Sequence, residues 1–353
     1  MNAQSESYKY ESPDRAMLDR DLMRSLWRSP MRLFSLSRRL QEKCCGREIT
    51  YVINRNINFT NICVGSCRFC AFRKEDGYIL THEDLLRKAE EAERMGATEI
   101  CLQGGLAPGL TLEDYCEMLE VLKSSYPSMH LHAYSPMEVL HMSRASGVDI
   151  RDALRALRDS GLDSMPGTAA ELLVDSVRRQ ICPDKLSTAE WSFIIKSAHR
   201  MGIPTTSTML YGHIENFEER LSHLEIIRSI QMETGGFTEF VLLPFVPGNT
   251  ELRGVAKTPD ILENLKMHAL ARVALYPHIK NIQASWVKLG REVAGAAMEW
   301  GANDLGGTLM EENISRCAGS SEGQYMSPDE FKDLIKRHGR IPVQRDTLYR
   351  KIC

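Results

Sequence analysis

Three cysteines in the first fifth of the chain are spaced closely enough to bind one metal centre. Cys63, Cys67 and Cys70 form a CxxxCxxC pattern, and Gly65 and Ser66 make the loop between the first two flexible. Thiolates at this spacing can ligate three irons of a [4Fe-4S] cluster and leave the fourth iron open. S-adenosylmethionine (SAM) can chelate that iron through its amino and carboxylate groups. An electron from the cluster can then cleave the bound SAM to methionine and a 5′-deoxyadenosyl radical. The pattern therefore predicts a redox-active cluster with SAM as its co-substrate.

A closed zinc site and unligated structural thiols are the alternative interpretations of this triad. Structural zinc usually takes four ligands from two paired knuckles, and no second knuckle follows Cys70. His130 and His132 form another possible metal-binding pair, because they alternate along a predicted strand and point to the same face. The sequence offers them no third ligand, so we expect histidines that are buried and hydrogen-bonded.

Glycines and charged residues that follow other predicted strands are candidates for binding a cofactor. Gln103, Gly104 and Gly105 are candidates, because the paired glycines would let a ligand approach the backbone closely. A carboxylate suits a ribose diol and a guanidinium suits a carboxylate. Glu171 is therefore a candidate for binding a ribose, and Arg178 for binding a carboxylate. The alternative is that Glu171 is solvated and Arg178 lies on the surface.

A ring of further polar residues is predicted at the edge of the same site. Donors, acceptors and titratable groups of these types suit substrate binding and proton transfer. The tryptophan among them could equally be part of the core. The candidates are Tyr211, His213 and Glu215 as catalytic residues, Trp286, Asn303 and Asp304 as substrate contacts, and Ser135 as a cofactor contact.

The composition argues against several classes of partner. The net charge is -3 and no Lys/Arg-rich run occurs, so a nucleic-acid partner is not expected. No apolar run approaches the roughly 20 residues of a membrane helix, and the first residues lack the apolar stretch of a signal peptide. We therefore expect a cytoplasmic protein with no membrane partner. Ten cysteines in that reducing compartment are expected to be ligands or buried thiols rather than a disulfide framework.

Short apolar runs alternate with amphipathic helical segments along most of the chain. Such alternation predicts a parallel sheet with helices outside, and eight repeats favour a (β/α)₈ TIM-type barrel with its site at the carboxyl ends of the strands. We predict a helical N-terminal extension over 1–50, the barrel over 51–320 and a C-terminal helical tail packed on the barrel over 321–353. The predicted strands are 51–59, 98–102, 129–133, 162–165, 204–210, 238–243, 280–286 and 302–304.

The CRFC segment around Cys70 resembles the signature of the radical SAM superfamily. That resemblance implies that Phe69 packs near the adenine of SAM and that the Gly-Gly turn receives its amino group. Further segments resemble the family of FO synthase subunit 2, the 5-amino-6-(D-ribitylamino)uracil–L-tyrosine 4-hydroxyphenyl transferases. The likeness extends from Tyr51 to Tyr349, and one departure is Ala107, where that family has a His. The segments are NRNINFTNICVGSCRFCAF, CLQGG, HAYSPMEV, MPGTAAELL, ICPDKL, TMLYGHIE, TGGFTEFV and NDLGGTLMEENISR.

The family resemblance implies a specific reaction in deazaflavin coenzyme biosynthesis. The radical would abstract a hydrogen from L-tyrosine, the Cα–Cβ bond would break, and the 4-hydroxybenzyl group would add to 5-amino-6-(D-ribitylamino)uracil with release of 2-iminoacetate. Implied partners are FO synthase subunit 1 and a reductant such as a ferredoxin or flavodoxin. Two alternatives stay open: an aminofutalosine synthase of menaquinone biosynthesis, and a non-catalytic iron–sulfur carrier.

Overall fold

The computed structural model describes residues 17–352, so residues 1–16 of the predicted extension and residue 353 of the predicted tail lie outside the described part. The strands are β1 (Glu48–Val52), β2 (Asn54–Asn58), β3 (Glu99–Gln103), β4 (His130–Ala133), β5 (Thr205–Tyr211), β6 (Phe237–Pro244), β7 (Ile282–Ala284), β8 (Asp304–Gly307) and β9 (Ile341–Arg345). The helices are α1 (Arg20–Trp27), α2 (Pro30–Cys45), α3 (His82–Arg94), α4 (Leu112–Ser125), α5 (Pro136–Ser146), α6 (Ile150–Asp159), α7 (Asp175–Ile181), α8 (Thr188–Arg200), α9 (Phe217–Thr234), α10 (Ile261–Leu275), α11 (Trp286–Leu289), α12 (Arg291–Ala297), α13 (Ile314–Cys317) and α14 (Pro328–Arg337).

The strands form two parallel sheets that together make a barrel. One sheet has the order β5-β6-β7-β8-β1-β9 and the other β2-β3-β4. Single parallel bridges join β4 to Ser164 and Met165 to β5, and β1 continues directly into β2. The predicted fourth strand, 162–165, is thus reduced to two bridges that close the gap between β4 and β5. The predicted TIM-type architecture with parallel strands and outer helices is confirmed.

The first predicted strand is divided in two at Ile53. At the division the Asn54 amide donates to Thr308 Oγ1 at 3.0 Å, and the Asn54 side chain donates to Glu99 Oε1 at 2.7 Å. These side-chain contacts replace ladder hydrogen bonds, so β1 pairs with β8 while β2 pairs with β3. The division lets one stretch of chain connect both sheets.

The segments at both ends of the described chain pack against the barrel. Helices α1 and α2 contact α10, and Met23, Leu26 and Leu33 belong to the main core. The tail prediction included helices only, but residues 341–345 form β9, which pairs in parallel with β1. Within the described residues no helix combines the length and the apolar character that crossing a membrane requires.

Candidate active site at the cysteine loop

A cavity of about 260 Å³ lies at the carboxyl ends of the barrel strands, beside the cysteine loop. Gln103 is the last residue of β3, and Leu210 and Leu243 stand next to the last residues of β5 and β6. A barrel places its site at this end. The predicted site residues that line the cavity are Cys63, Cys67, Cys70, Phe69, Gln103, Gly104, Gly105, Ser135 and Glu171.

The geometry of the cysteine loop suits a cluster. A Cβ at Gly65 would lie 3.4 Å from Cys63 Sγ and 4.0 Å from Cys67 Sγ, so glycine keeps the space beside both sulfurs open. The Cys70 amide donates to the Cys67 carbonyl at 3.1 Å, which brings the last two cysteines into one turn. Burial raises the pKa of the Cys67 thiol to about 12. A metal centre would supply the positive charge that deprotonates such a thiol.

The same geometry argues against the zinc alternative. Within residues 17–352, no three His, Cys, Asp or Glu side chains converge on a point where one ion could bind. A single zinc needs its ligands to converge in this way. Each cysteine around a [4Fe-4S] cluster binds a different iron, so the three sulfurs can lie apart.

The Gly104 and Gly105 turn is held by Glu138, to which sequence analysis gave no role. The Gly104 amide donates to Glu138 Oε1 at 3.0 Å, and the Ser135 amide donates to Oε2 at 2.6 Å. A Cβ at Gly105 would lie 2.1 Å from the Ile62 carbonyl oxygen, so only glycine fits there. Burial raises the pKa of Glu138 to about 7. The Ser-x-x-Glu capping box is a sequence signal that could have identified this residue.

Glu171 is paired with Lys185, a second residue to which sequence analysis gave no role. Lys185 Nζ lies 2.6 Å from Glu171 Oε1 and 5.2 Å from the centre of the Phe69 ring. Burial alone would lower the pKa of Lys185, but the Glu171 carboxylate outweighs it and the pKa is raised. The pair therefore puts a fixed positive and a fixed negative charge in the cavity wall, close to Cys67.

Arg178 lies behind the cavity wall rather than in it. Its guanidinium donates to the backbone carbonyls of Ala169, Ala170 and Leu186, and its residue is buried. The structure therefore places Arg178 where it fixes the loop that carries Glu171. Lys185 is the cation that faces the cavity at this point.

Comparisons with known proteins agree with this geometry. The chain matches the family model "Radical SAM superfamily" over residues 57–227 and the model "CofH/MqnC C-terminal region" over residues 234–352. It is 52% identical over 324 residues to the 5-amino-6-(D-ribitylamino)uracil–L-tyrosine 4-hydroxyphenyl transferase of Archaeoglobus fulgidus, covering 92% of this chain and 94% of that protein. A relative in Methanosarcina acetivorans, named as transferase 1 of the same kind, is 51% identical and covers 94% and 90% of the two chains. The chain belongs to this transferase family of the radical SAM superfamily.

Two solved structures share the fold of this radical SAM protein. Methylornithine synthase (PylB) has a TM-score of 0.73 at 19% identity and covers 92% of this chain and 94% of that one. HydG, a maturase of the [FeFe]-hydrogenase, has a TM-score of 0.70 at 16% identity. The match covers 94% of this chain and 72% of the HydG chain. Membership of the superfamily implies a [4Fe-4S] cluster and SAM, and the cysteine loop and cavity fit both.

In this radical SAM protein, the three catalytic candidates after β5 lie outside the cavity. Tyr211 points away from the barrel interior, and its hydroxyl donates to Asn264 Oδ1 at 2.7 Å. His213 Nδ1 lies 3.0 Å from Glu215 Oε2, and Glu215 also pairs with Arg220 at 2.8 Å. Burial alone would raise the pKa of Glu215, but His213 and Arg220 lower it to about 2. The structure places these residues in a network that shapes the turn after β5.

The substrate candidates after β7 and at β8 also lie outside the cavity. The Trp286 indole donates to the Gly307 carbonyl at 3.0 Å and is buried against Phe331. The predicted position of Asn303 and Asp304 at a strand's carboxyl end is wrong, because β8 begins at Asp304. Both side chains therefore lie at the opposite end of the barrel from the cysteine loop. There Asp304 forms an ion pair with Arg345 at 2.6 Å.

The two histidines of β4 are hydrogen-bonded within the barrel. His130 Nε2 and His132 Nδ1 each lie 2.7 Å from Ser164 Oγ. Burial lowers the pKa of His132 to about 4, so this ring is neutral at physiological pH. The contacts link β4 to the bridge that replaces the fourth strand.

Proposed function

We propose that this protein cleaves the side chain of L-tyrosine and transfers the 4-hydroxybenzyl group to 5-amino-6-(D-ribitylamino)uracil in deazaflavin coenzyme biosynthesis. The observation that carries the proposal is 52% identity to a transferase of that name over 92% of the chain. The cysteine loop and the cavity beside it support the same reaction. The predicted by-product is 2-iminoacetate.

The residues around the cavity divide into two functional groups. Cys63, Cys67 and Cys70 would ligate the cluster, and the turn at Gly104 and Gly105 would lie against SAM. When bound, the cluster and SAM supply a 5′-deoxyadenosyl radical that can abstract a hydrogen from tyrosine. Radicals of this kind need an enclosed site from which water and oxygen are excluded.

Apolar side chains provide that enclosure. The cavity wall includes Phe72 next to the cysteine loop, Leu106 next to the glycine turn, and side chains near the carboxyl ends of β5 and β6. A wall of this kind also suits the aromatic ring of tyrosine, since pockets for small ligands are largely apolar with few polar groups. These apolar side chains include Phe72, Leu106, Leu210, Leu243 and Phe245.

Two protein partners complete the proposal. Cleavage of SAM consumes an electron, so a reductant such as a ferredoxin or flavodoxin must supply one to the cluster. A second radical SAM enzyme, FO synthase subunit 1, would close the deazaflavin ring on the product.

An anaerobic assay of product mass tests the proposal. The protein is reconstituted with iron and sulfide and given reductant and SAM. One mixture receives tyrosine and the diaminouracil, and the other receives the enolpyruvyl ether substrate of aminofutalosine synthases. We expect an adduct of tyrosine-derived 4-hydroxybenzyl and diaminouracil in the first mixture only, and none with Cys67→Ala.

Other results would favour the two alternatives. An adduct in the second mixture alone would identify an aminofutalosine-type enzyme. A stable cluster without SAM cleavage in either mixture would identify an iron–sulfur carrier. Cys182→Ala is a matched control, because Cys182 is buried near the loop but does not line the cavity.

A further inference from the structure

Among the described residues that line the cavity, one lysine forms no ion pair. Three cationic side chains line the cavity. Arg73 donates to the Gly65 carbonyl, and Lys185 is paired with Glu171. Lys288 forms neither an ion pair nor a side-chain hydrogen bond with any residue between 17 and 352.

The carboxylates of the cavity wall are already engaged. Glu138 accepts hydrogen bonds from two backbone amides, at Gly104 and Ser135. Glu171 is held by Lys185, and the Asp184 carboxylate accepts a hydrogen bond from Ser66. Among the described residues, each carboxylate of the cavity wall thus already has a hydrogen-bond or ion-pair partner, and none forms an ion pair with the Lys288 ammonium.

The two residues before Lys288 are held in place by hydrogen bonds. The neighbouring Trp286 is buried and hydrogen-bonded to Gly307, and the Val287 carbonyl accepts from Ser320 at 2.6 Å. The Lys288 side chain faces the cavity, where burial lowers its pKa even though the Glu312 and Glu171 carboxylates favour the charged form. An ammonium that is partly withdrawn from water and makes no ion pair or hydrogen bond is costly, and an anionic ligand would reduce that cost.

Lys288 and Ser135, a predicted SAM contact, lie on opposite sides of the barrel. Around the barrel the order is β1/β2, β3, β4, the 164–165 bridge, β5, β6, β7 and β8. Gly104 and Gly105 follow β3, and Ser135 follows β4, whereas Lys288 follows β7. In that order β4 and β7 stand four positions apart in either direction, so Lys288 reaches the cavity from the wall facing Ser135.

We propose that Lys288 binds the α-carboxylate of L-tyrosine and so orients the amino acid in the cavity. The proposal rests on the proposed function, which has two substrates besides SAM. Tyrosine donates the 4-hydroxybenzyl group and carries a carboxylate, whereas the diaminouracil that accepts the group has no anionic group. The diaminouracil is a neutral polyol, and the carboxylate of SAM would be engaged at the cluster that the cysteine loop would hold. Lys288 is therefore a specificity-determining residue for an amino acid over the corresponding amine.

Comparison of tyrosine with tyramine, which lacks the carboxylate, tests this role. Cluster-loaded protein with SAM and no reductant is titrated anaerobically with each ligand by calorimetry. Lys288→Met is expected to weaken tyrosine binding about 10- to 100-fold, the size of a lost charged hydrogen bond, and to leave tyramine binding unchanged. Lys288→Arg should keep most of the preference for tyrosine.

Lys280→Met is the matched control, since Lys280 is an exposed lysine just before the amino end of β7. It should bind both ligands as the wild type does. The role of Lys288 is contradicted if Lys288→Met binds tyrosine normally, if it loses both ligands equally, or if it loses SAM instead. Failure of the wild-type protein to bind tyrosine would contradict the proposed function itself.

A labelling experiment on the wild type does not depend on how the variants fold. Reductive methylation of lysines is followed by peptide mass spectrometry in the presence of each ligand. Tyrosine should protect Lys288 while tyramine leaves it reactive, and Lys280 should be modified equally in both. Equal modification of Lys288 with both ligands would overturn the proposal.

Discussion

Lys185 and Glu171 form an ion pair of 2.6 Å inside the cavity wall, next to the Phe69 ring. Their side chains are only 17% and 12% exposed, so each charge depends on the other. Removing one partner of a buried pair typically costs about 3–5 kcal/mol, whereas replacing both by apolar residues is often close to neutral.

Lys185→Met should therefore lower the free energy of unfolding by about 3 kcal/mol, as measured by anaerobic denaturant titration. The double variant Lys185→Met/Glu171→Leu should recover most of that loss. Lys332→Ala, which breaks an exposed pair with Asp329, should change stability by less than about 0.5 kcal/mol. Equal losses in the single and double variants would show that the pair is not the source of the effect.

The cysteine loop packs closely against Gly105. A Cβ there would lie 2.1 Å from the Ile62 carbonyl oxygen and 2.9 Å from Cys63 Cβ. Gly105→Ala should push the loop away, lower stability by about 1–3 kcal/mol and reduce the iron bound per chain after reconstitution. Gly254→Ala, where a Cβ meets nothing within 4 Å, should keep full iron content. Normal iron content in Gly105→Ala would contradict this account of the turn.

Arg345 joins β9 to the end of the barrel opposite the cysteine loop through ion pairs. Its guanidinium contacts Asp304 at 2.6 Å and Glu239 at 3.5 Å, and its side chain is 3% exposed. Arg345→Met would leave two buried carboxylates without a cation, which should cost about 3–5 kcal/mol and speed amide exchange in β9. Arg350→Met, with a 75% exposed side chain, is the control that should leave both quantities nearly unchanged.

Glu138 makes stability depend on pH. Burial raises its pKa from 4.5 to about 7 in the folded chain. Between these values the folded state holds a proton that the unfolded state has released, so stability falls as pH rises through this range. For this one group the loss is about 3 kcal/mol. Glu138→Gln should show a correspondingly smaller fall between pH 4.5 and 7 in denaturant titrations, and an unchanged fall would contradict the assignment.

Sequence patterns identified the cysteine loop that lines the cavity and predicted most of the barrel, because both depend on local spacing. Cys63, Cys67 and Cys70 lie within one loop, and the alternation of strands and helices repeats along the chain. Lys185 was missed because its partner Glu171 stands 14 residues away, with a helix between them. Distances of that kind depend on the three-dimensional path of the loop, which a single sequence does not specify.

Except for Ser135, the predicted ring of polar residues does not line the cavity, and the physical reason is a different one. Every residue of β5 is buried, as expected for a strand covered on both faces, so its sequence does not show which side chains point inward. Thr208 and Leu210 face the cavity, which turns Tyr211 outward. At β8 a short apolar run could not show where the strand begins, and Asp304 lies at its start rather than its end.

The most direct test of the account is electron paramagnetic resonance of the reduced, reconstituted protein before and after SAM is added. Three cysteine ligands leave one iron free to bind SAM, so we predict a [4Fe-4S]⁺ signal whose g values shift when SAM is added. The same signal should be absent or strongly diminished in Cys67→Ala. A signal that SAM does not change, or that survives intact in Cys67→Ala, would contradict the assignment of the cysteine loop as a SAM-binding cluster site.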